Sequence, residues 1–447
     1  MRIPQDVQYI ISRLRAGGHE AYAVGGCVRD ALLGREPNDW DVTTSALPEE
    51  MKACFAGHRL IETGLRHGTL TVMLGGKGFE VTTYRVDGEY SDHRRPDSVQ
   101  FVKQLALDLA RRDFTVNAMA TCDGEEIVDL FGGREDLARG VIRCVGRPEE
   151  RFEEDALRIL RALRFASAYD FEIEESTARA ALGRRDTLSN VSEERIFTEL
   201  KKLLCGPGAE RILLTFPQII FTVLPELEPM YRFPQNNPHH AYDVWTHTAK
   251  TVGYAPADPI YRLTMLFHDS GKPRAHTVGM DGYDHFKLHQ LYSAEIAESC
   301  LRRLKSDTHT LRHVLEMIRE HDLRIPATEH AVKKQMIRLG SEAFMRLFPV
   351  FRADLLAQNP SMRAEKAAQV DALEAIAQKL LRENACLSVG QLAVDGNDLK
   401  AAGIKGRAVG EALKTLLQDV ALGGLPNEKT ALLKRALQQG GTEVSGD

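Results

Sequence analysis

Asp39 and Asp41 stand two residues apart in EPNDWDVTTS. On an extended strand, side chains i and i+2 point to the same face, so this spacing predicts two carboxylates side by side. Such a pair suits a hard divalent cation with oxygen ligands, Mg²⁺ first among them. Two ions held about 3.5–4 Å apart activate an attacking hydroxyl and stabilise the leaving oxygen of a phosphoryl displacement. A third carboxylate completes sites of this kind, and Glu80, alternating along FEVTTYR, is the candidate. Upstream, Gly25 and Gly26 close the apolar run AYAVGG. Without side chains there, backbone N–H groups can approach a triphosphate, and Arg29 follows within reach of its oxygens. A DxD pair or a GG turn alone is common on solvated loops. Together, in strand–GG–helix–strand order, they are far more specific.

A second set of chemistry-bearing residues lies in the other half. DVWTHT supplies His247, LFHDSGKP supplies His268 and Asp269, and FRADLLAQNP supplies Asp354. His285 and His289 in DHFKLHQ and His321 in IREHD are candidates for a second ion or a phosphate. Neutral imidazoles and carboxylates are ligands for Mn, Fe, Ni, Zn or Mg. A single histidine on a helix is usually a packed or surface residue; an ordered set is harder to explain by packing.

The elements that must position these residues follow from pattern. AYAV reads as a strand, CVRDALLG as a short helix closed by Gly34, and PEEMKACF as another helix. TLTVML and GFEVTTYR alternate as strands and are joined through GGKG, a hairpin turn. From FEEDALRILRALRFASAYDF onward the pattern is helical to the end, broken by Pro-rich stretches at 224–240 and around Pro360. The fold class expected is α+β, with a small mixed sheet first and helices after it.

Length and composition bound the rest. At 447 residues the chain exceeds one ordinary core. It has no run of about 18 apolar residues, so no membrane partner is expected. Seven cysteines without a CxxC pair argue against a zinc ribbon and for reduced thiols in a cytoplasm. A net charge of −5 does not advertise a nucleic-acid binder, but Arg111, Arg112, Arg158, Arg161, Arg164, Lys201 and Lys202 leave room for a local basic face.

The segment AVGGCVRDALLGREPNDWDVTTS resembles the signature of the DNA polymerase β-like nucleotidyltransferases, in their class II tRNA nucleotidyltransferase and bacterial poly(A) polymerase branch. TGLRHGTLTV and VDGEYSDHRRPDSV resemble that family's flexible head region, LARRDFTVNAMA its ribose-recognising motif, FEEDALRILRALRFA its base-recognising helix and SEERIFTELKKLL its neck. The resemblance implies a polymerase β-like head at 1–145, a helical neck and RNA-binding region at 146–235, a helical body at 236–360 and a tRNA-contacting tail at 361–447. It implies CTP and ATP as donors and a tRNA 3′ end as acceptor. In EEDALRILR, Asp155 and Arg158 are spaced i, i+3 on one helical face, where acceptor and donors together would imitate a base edge. Arg161 and Arg164 continue that side towards phosphates. Asp113 would read the ribose 2′-OH, or cap a helix; Arg112 and Asn117 are nucleotide contacts by the same resemblance. By the same resemblance, the loop around Asp92 and Arg95 is associated with switching from C to A, and its full length argues against a CC-adding enzyme; no Arg-rich segment of the poly(A) polymerase sort follows the DxD strand, so complete CCA addition is favoured, with A-only addition the nearest alternative. His247, His268, Asp269 and Asp354 occupy the four basic positions of the HD phosphohydrolase superfamily. That resemblance implies a second divalent metal and a hydrolase acting on RNA phosphoesters. Near the end, GIKGRAVG resembles the family's C-terminal segment and would present Lys405 or Arg407 to RNA phosphate, or serve as a helix–turn–helix packing unit.

Overall fold

The computed structural model describes residues 1–87 and 99–440, so Asp92 and Arg95 lie outside the described residues. The chain divides into two compact units. One comprises Met1–Glu228 with Arg302–Ser306, the other Pro229–Leu301 with Asp307–Asp447.

The first unit is α+β. Its strands are β1 Ala21–Val24, β2 Val42–Thr44, β3 Arg59–Ile61, β4 Thr69–Leu74, β5 Lys77–Thr83, β6 Arg85–Asp87, β7 Val99–Phe101, β8 Met119–Thr121 and β9 Val128–Asp129. Seven of them form a mixed sheet in the order β3-β4-β5-β2-β1-β8-β9. Only β2 and β5 run parallel, with Val42 opposite Val81; the other neighbours are antiparallel. The β4–β5 turn is Gly75-Gly76, both at positive φ, as a two-residue hairpin demands. Thr43 on β2 donates to the buried carboxylate of Asp108 (3.2 Å), which ties the sheet to the helix Leu105–Ala110.

The same unit continues through the helices Pro148–Glu154, Leu157–Tyr169, Glu175–Arg184 and Glu193–Leu204. Leu157–Tyr169 is apolar on most sides and packs on Glu193–Leu204, whose Ile196, Phe197, Leu200, Leu203 and Leu204 repeat at helical spacing. Phe114 and Phe165 meet edge to face with centroids 5.7 Å apart. The expectation of helix alone after the head needs one amendment here. Val141–Ile142 and Glu172–Ile173 pair in parallel, because Asp170 in the left-handed region turns the chain out of its helix and back alongside Gly140.

The second unit is helical, with Val244–Tyr254, Pro259–Phe267, His289–Arg303, Thr308–Glu320, Ser341–Leu356 and Arg363–Arg382 as its main helices. It too carries a small sheet, the hairpin Thr277–Val278 with Asp284–His285, pinned by His276 on Asp284 (2.8 Å). Residues beyond Cys386 have their own core of Leu392, Leu399, Leu416, Leu417 and Leu432. No described helix is long and apolar enough to cross a membrane.

Candidate active site and a buried histidine–aspartate cluster

Asp39 and Asp41 precede β2 rather than lying on it, since the strand begins at Val42. The backbone is already committed to the sheet there: Val24 N–H donates to the Asp41 carbonyl (3.0 Å). Exposure alternates accordingly, with Trp40 buried and both aspartates open. The parallel register sets Asp41 beside Glu80 on β5. Protein crowded around its carboxyl, with the neighbouring carboxylates of Glu80 and Asp39, raises Asp41 above the usual carboxylate range, while Arg112 opposes them. Three acids converging on one another is the electrostatic signature of a cation site. Their oxygens do not close to within 4.8 Å of one another as those of the two ligand groups described below do.

Gly25 has φ +83° and a Cβ there would sit 2.8 Å from Nη1 of Arg112, so only glycine fits. Its own N–H is spent on the Met119 carbonyl (3.1 Å). The free backbone donors are therefore those of the first turn of Gly26–Leu32. Arg112 also pairs with Asp108 (3.3 Å), leaving it between the GG turn and Asp41.

Arg29 takes a different place from the one expected. Its guanidinium is buried, donates to Asn117 Oδ1 and Asp30 (2.9 Å), and lies over the rings of Phe165 (5.0 Å) and Tyr169 (4.7 Å). Asn117 passes the link to Asp113 Oδ1 (3.0 Å), and Asp113 Oδ2 accepts from Arg161 Nε (2.8 Å) and Nη2 (2.5 Å). Burial would raise Asp113, but Arg161, Asn117 and Arg158 hold it far below the usual range. Arg161 and Arg164 both address Glu199, Arg164 at 2.7 Å. Every oxygen direction Asp113 uses points into protein, so a ribose hydroxyl would have to compete with these partners.

Asp155 and Arg158 do not share one helix. Asp155 is extended at the break between Pro148–Glu154 and Leu157–Tyr169, where it caps Leu157 N–H (3.0 Å). Its other oxygen accepts from Arg195 (2.8 Å), and Arg158 turns instead to Glu154 (2.5 Å) and the Arg111 carbonyl (3.1 Å). The capping preference of aspartate prevails over the i, i+3 pairing. Arg195, Glu154, Asp108 and Glu199 were not singled out from sequence. Asp108 and Glu199 are buried on their helices, among apolar neighbours, whereas Glu154 and Arg195 are only partly buried.

In the second unit, His247, His268, Asp269 and Asp354 do come together, and His289 and His321 join them. His247 Nε2 lies 2.9 Å from Asp354 Oδ1 and 3.4 Å from Asp269 Oδ2. His268 Nε2 is 3.2 Å from Asp269 Oδ2, and His289 Nε2 is 3.2 Å from Asp269 Oδ1 and 3.0 Å from His321 Nε2. Two groups result, His247–His268–Asp354 and Asp269–His289–His321, each with ligand atoms within 4.8 Å of one another. His285 stays outside, paired with Asp281 on the hairpin (3.1 Å).

The opposite ring nitrogens fix the chemistry. Nδ1 of His268, His289 and His321 faces the carbonyls of Met265 (2.8 Å), Phe286 (2.8 Å) and Ile318 (2.7 Å), and His247 Nδ1 that of Ala357 (3.4 Å). Nδ1–H donates there, so in the neutral rings the lone pairs sit on Nε2, aimed at carboxylate oxygens. Lone pairs facing one another repel unless a proton or a cation lies between them. Nε2 of His268 is buried without a hydrogen bond. Burial alone would lower His268, but Asp269 and Asp354 push it up to about 9. Burial and the nearby Lys272 push His240, whose ring meets His247, down to about 2. Lys272, one turn after Asp269, pairs with it at 2.6 Å and donates to Gln235. The donor set fits divalent metal.

Comparison with known proteins bears on both units. Residues 21–143 match the poly A polymerase head domain family, 170–230 the "probable RNA and SrmB-binding site of polymerase A" family, and 286–436 the tRNA nucleotidyltransferase domain 2 family. CCA-adding enzymes are similar in sequence: that of Leuconostoc mesenteroides is 47% identical over 215 residues (47% of this chain, 53% of the relative), and that of Lactobacillus helveticus 50% over 207 (46% and 51%). The matched stretch thus spans about half the length of these relatives. The Bacillus stearothermophilus CCA-adding enzyme in complex with CTP aligns over 99% of both chains at 29% identity and TM-score 0.70. The Thermotoga maritima CCA-adding enzyme complexed with tRNA shares the fold at 20% identity, with TM-score 0.57 over 98% of this chain and 96% of that one.

Proposed function

We propose, for a chain that belongs to the class II tRNA nucleotidyltransferase and bacterial poly(A) polymerase family, the template-independent addition of CMP, CMP and AMP from CTP and ATP to the 3′ end of tRNA. The observation that carries this reading is the convergence of Asp39, Asp41 and Glu80 beside the GG turn, with Arg112 held beneath Gly25. A family of this kind uses divalent metal, and oxygen-only donors favour Mg²⁺. When bound, the ions would lower the cost of deprotonating the 3′-OH and neutralise the departing pyrophosphate. Asp39 and Asp41 hold them. Glu80, opposite Asp41, orients the 3′-OH. Arg112 and the first-turn N–H groups after Gly25 face the triphosphate. Asp155 and Arg158, fixed by Arg195 and Glu154, meet the base edge, and Arg29, Asn117, Asp113, Arg161 and Arg164 form the buried tie beneath them.

The four-part division at residues 145, 235 and 360, a tail that touches tRNA through Lys405 or Arg407, and a cytoplasmic location belong to the same proposal. The assay that tests it supplies tRNAs ending at the discriminator base, at C and at CC, with each labelled NTP in turn. With CTP and ATP together, these tRNAs are expected to grow by three, two and one nucleotides in that order, each ending in A. Growth by A alone, by C alone or without limit when both nucleotides are present would replace this reading with a partial or poly(A)-adding activity.

The converging Nε2 atoms favour a second activity in the other unit. There the histidine–aspartate cluster holds divalent metal, with Asp269 between the two groups, and hydrolyses phosphoesters. Metal content that survives substitution of both His268 and Asp269 would remove that reading.

A further inference from the structure

The side chain of Asp108 is fully buried, and both its oxygens accept from donors on separate parts of the first unit. Oδ1 accepts from Arg111 Nε (3.0 Å) and Nη2 (2.7 Å) and from Arg85 N–H (3.4 Å). Oδ2 accepts from Thr43 (3.2 Å) and from Arg112 Nη2 (3.3 Å). Burial works against its charge, yet Arg112 and Arg111 hold it below the usual carboxylate range. Thr43 is two residues after Asp41 on the same extended run, where alternation turns both side chains to one face. Asp108 is thereby fixed to the stretch that carries the acids of the site.

Arg112 is what this carboxylate holds. Its guanidinium lies close enough to Asp41 to act on that charge, and Glu80 and Asp39 act on Asp41 as well. A guanidinium beside converging acids tends to pair with them, because its fork matches the two oxygens of a carboxylate. Among the described residues, however, the ion pair that Arg112 makes is with Asp108, four residues back, through one nitrogen. Nη1 stays against the GG turn, 2.8 Å from where a Cβ on Gly25 would sit, and the buried Nε has no hydrogen-bond partner. Most of the fork is therefore left for a ligand. We propose that Asp108 is a positioning residue for the triphosphate: it holds Arg112 at the GG turn and off Asp41, so that the guanidinium meets phosphate oxygens rather than the acids. This rests on the reading that Arg112 faces the triphosphate. In Asp108→Asn the amide no longer balances Arg112, and the guanidinium is drawn to Asp41.

The test compares the full chain as wild type, Asp108→Asn, Arg112→Met and the double variant. ATP and adenosine binding are measured by equilibrium dialysis in EDTA, so that the protein's own side chains are read, and addition to a tRNA ending in CC is measured in Mg²⁺. Loss of one charge-assisted contact is worth on the order of tenfold. Asp108→Asn is expected to weaken ATP binding about tenfold and to leave adenosine binding unchanged. Arg112→Met should match it, and the double variant should lose no more than Arg112→Met alone, since both substitutions act through one guanidinium. Losses that multiply in the double variant overturn the proposal, and so does ATP binding within twofold of wild type in Asp108→Asn. A fall in adenosine binding equal to that of ATP also overturns it, by making Asp108 a support for the fold. Should Asp108→Asn fail to fold, Thr43→Val removes one donor from the same carboxylate and leaves its charge. A loss of about threefold for ATP with adenosine binding kept is then expected, and unchanged ATP binding overturns the proposal. Arg112→Met that binds ATP as wild type does removes the reading of Arg112 and the proposal with it. The expected binding pattern in a wild type that adds nothing to tRNA would support the proposal and overturn the function proposed above.

Discussion

Asp113→Ala is the perturbation whose outcome the buried network specifies most sharply. The carboxylate accepts from Arg161 through two nitrogens at 2.8 and 2.5 Å, from Asn117 at 3.0 Å and from Phe114 N–H at 2.8 Å. Truncation leaves the Arg161 guanidinium in place with Glu199 at 4.0 Å as its remaining ion-pair partner and Asp155 as a further negative charge. Removing one partner of a buried pair costs about 3–5 kcal/mol, mostly because the other charge is stranded. For a unit of this size that is a fall of roughly 6–20 °C in its melting transition. Calorimetry of the full chain, following the transition of the first unit, reads it directly. The pH dependence supplies an independent sign. Asp113 is held below its ordinary value in the fold, so its contribution is complete above about pH 4 and lost as pH falls through that range. Wild type and Asp113→Asn should therefore converge in stability on acidification. A melting transition within 2 °C of wild type, together with lost discrimination between NTP and dNTP, would refute the reasoning and make Asp113 a direct reader of ribose.

Three further outcomes follow from the geometry. Asp155→Ala and Arg158→Ala should relax rejection of GTP and UTP by about 10²-fold while triphosphate affinity changes little, and Arg195→Met should reproduce part of the Asp155 effect; equal loss for all four nucleotides would make these residues a phosphate clamp. The His268→Ala, Asp269→Ala double variant should lose bound metal and any phosphoesterase activity while nucleotide addition to tRNA is spared, as read by elemental analysis beside the tRNA assay. His240 is kept neutral by burial down to about pH 2 whereas an unfolded histidine takes up its proton near 6.5, so its contribution is present above 6.5 and lost below. Between pH 7.5 and 5.5 wild type should lose about 1.4 kcal/mol more than His240→Gln, measured as the difference in melting of the second unit.

Much of the fold was legible because it rests on local rules. GG turns at β1 and between β4 and β5, the alternation of FEVTTYR, and the helical repeat of ILRALRFA each declare their element without reference to distant residues. The positions of Asp39, Asp41 and Glu80 were legible for the same reason, since same-face spacing survives even though β2 starts one residue later than Asp41. What could not be read were choices among partners. Asp155 has Arg158 three residues on, yet a helix break and Arg195, 40 residues away, claim it. Arg29 looked like a phosphate ligand because its neighbours in sequence are glycines. Only the fold brings Asn117, Phe165 and Tyr169 against it. In the second unit the ligand types were visible in order, but His285 and His289 are equivalent on paper. The hairpin turns one towards Asp281, and the start of a helix turns the other towards Asp269.

The most direct test of the central claim is single-turnover addition of AMP to a tRNA ending in CC, by wild type and by Asp39→Asn and Asp41→Asn variants, at saturating ATP and Mg²⁺. Each substitution keeps shape and removes one of the carboxylates beside Glu80. The account predicts rates at least about 10³-fold below wild type, a barrier rise of about 4 kcal/mol, with melting unchanged and tRNA binding retained. Turnover within tenfold of wild type in either variant would contradict it.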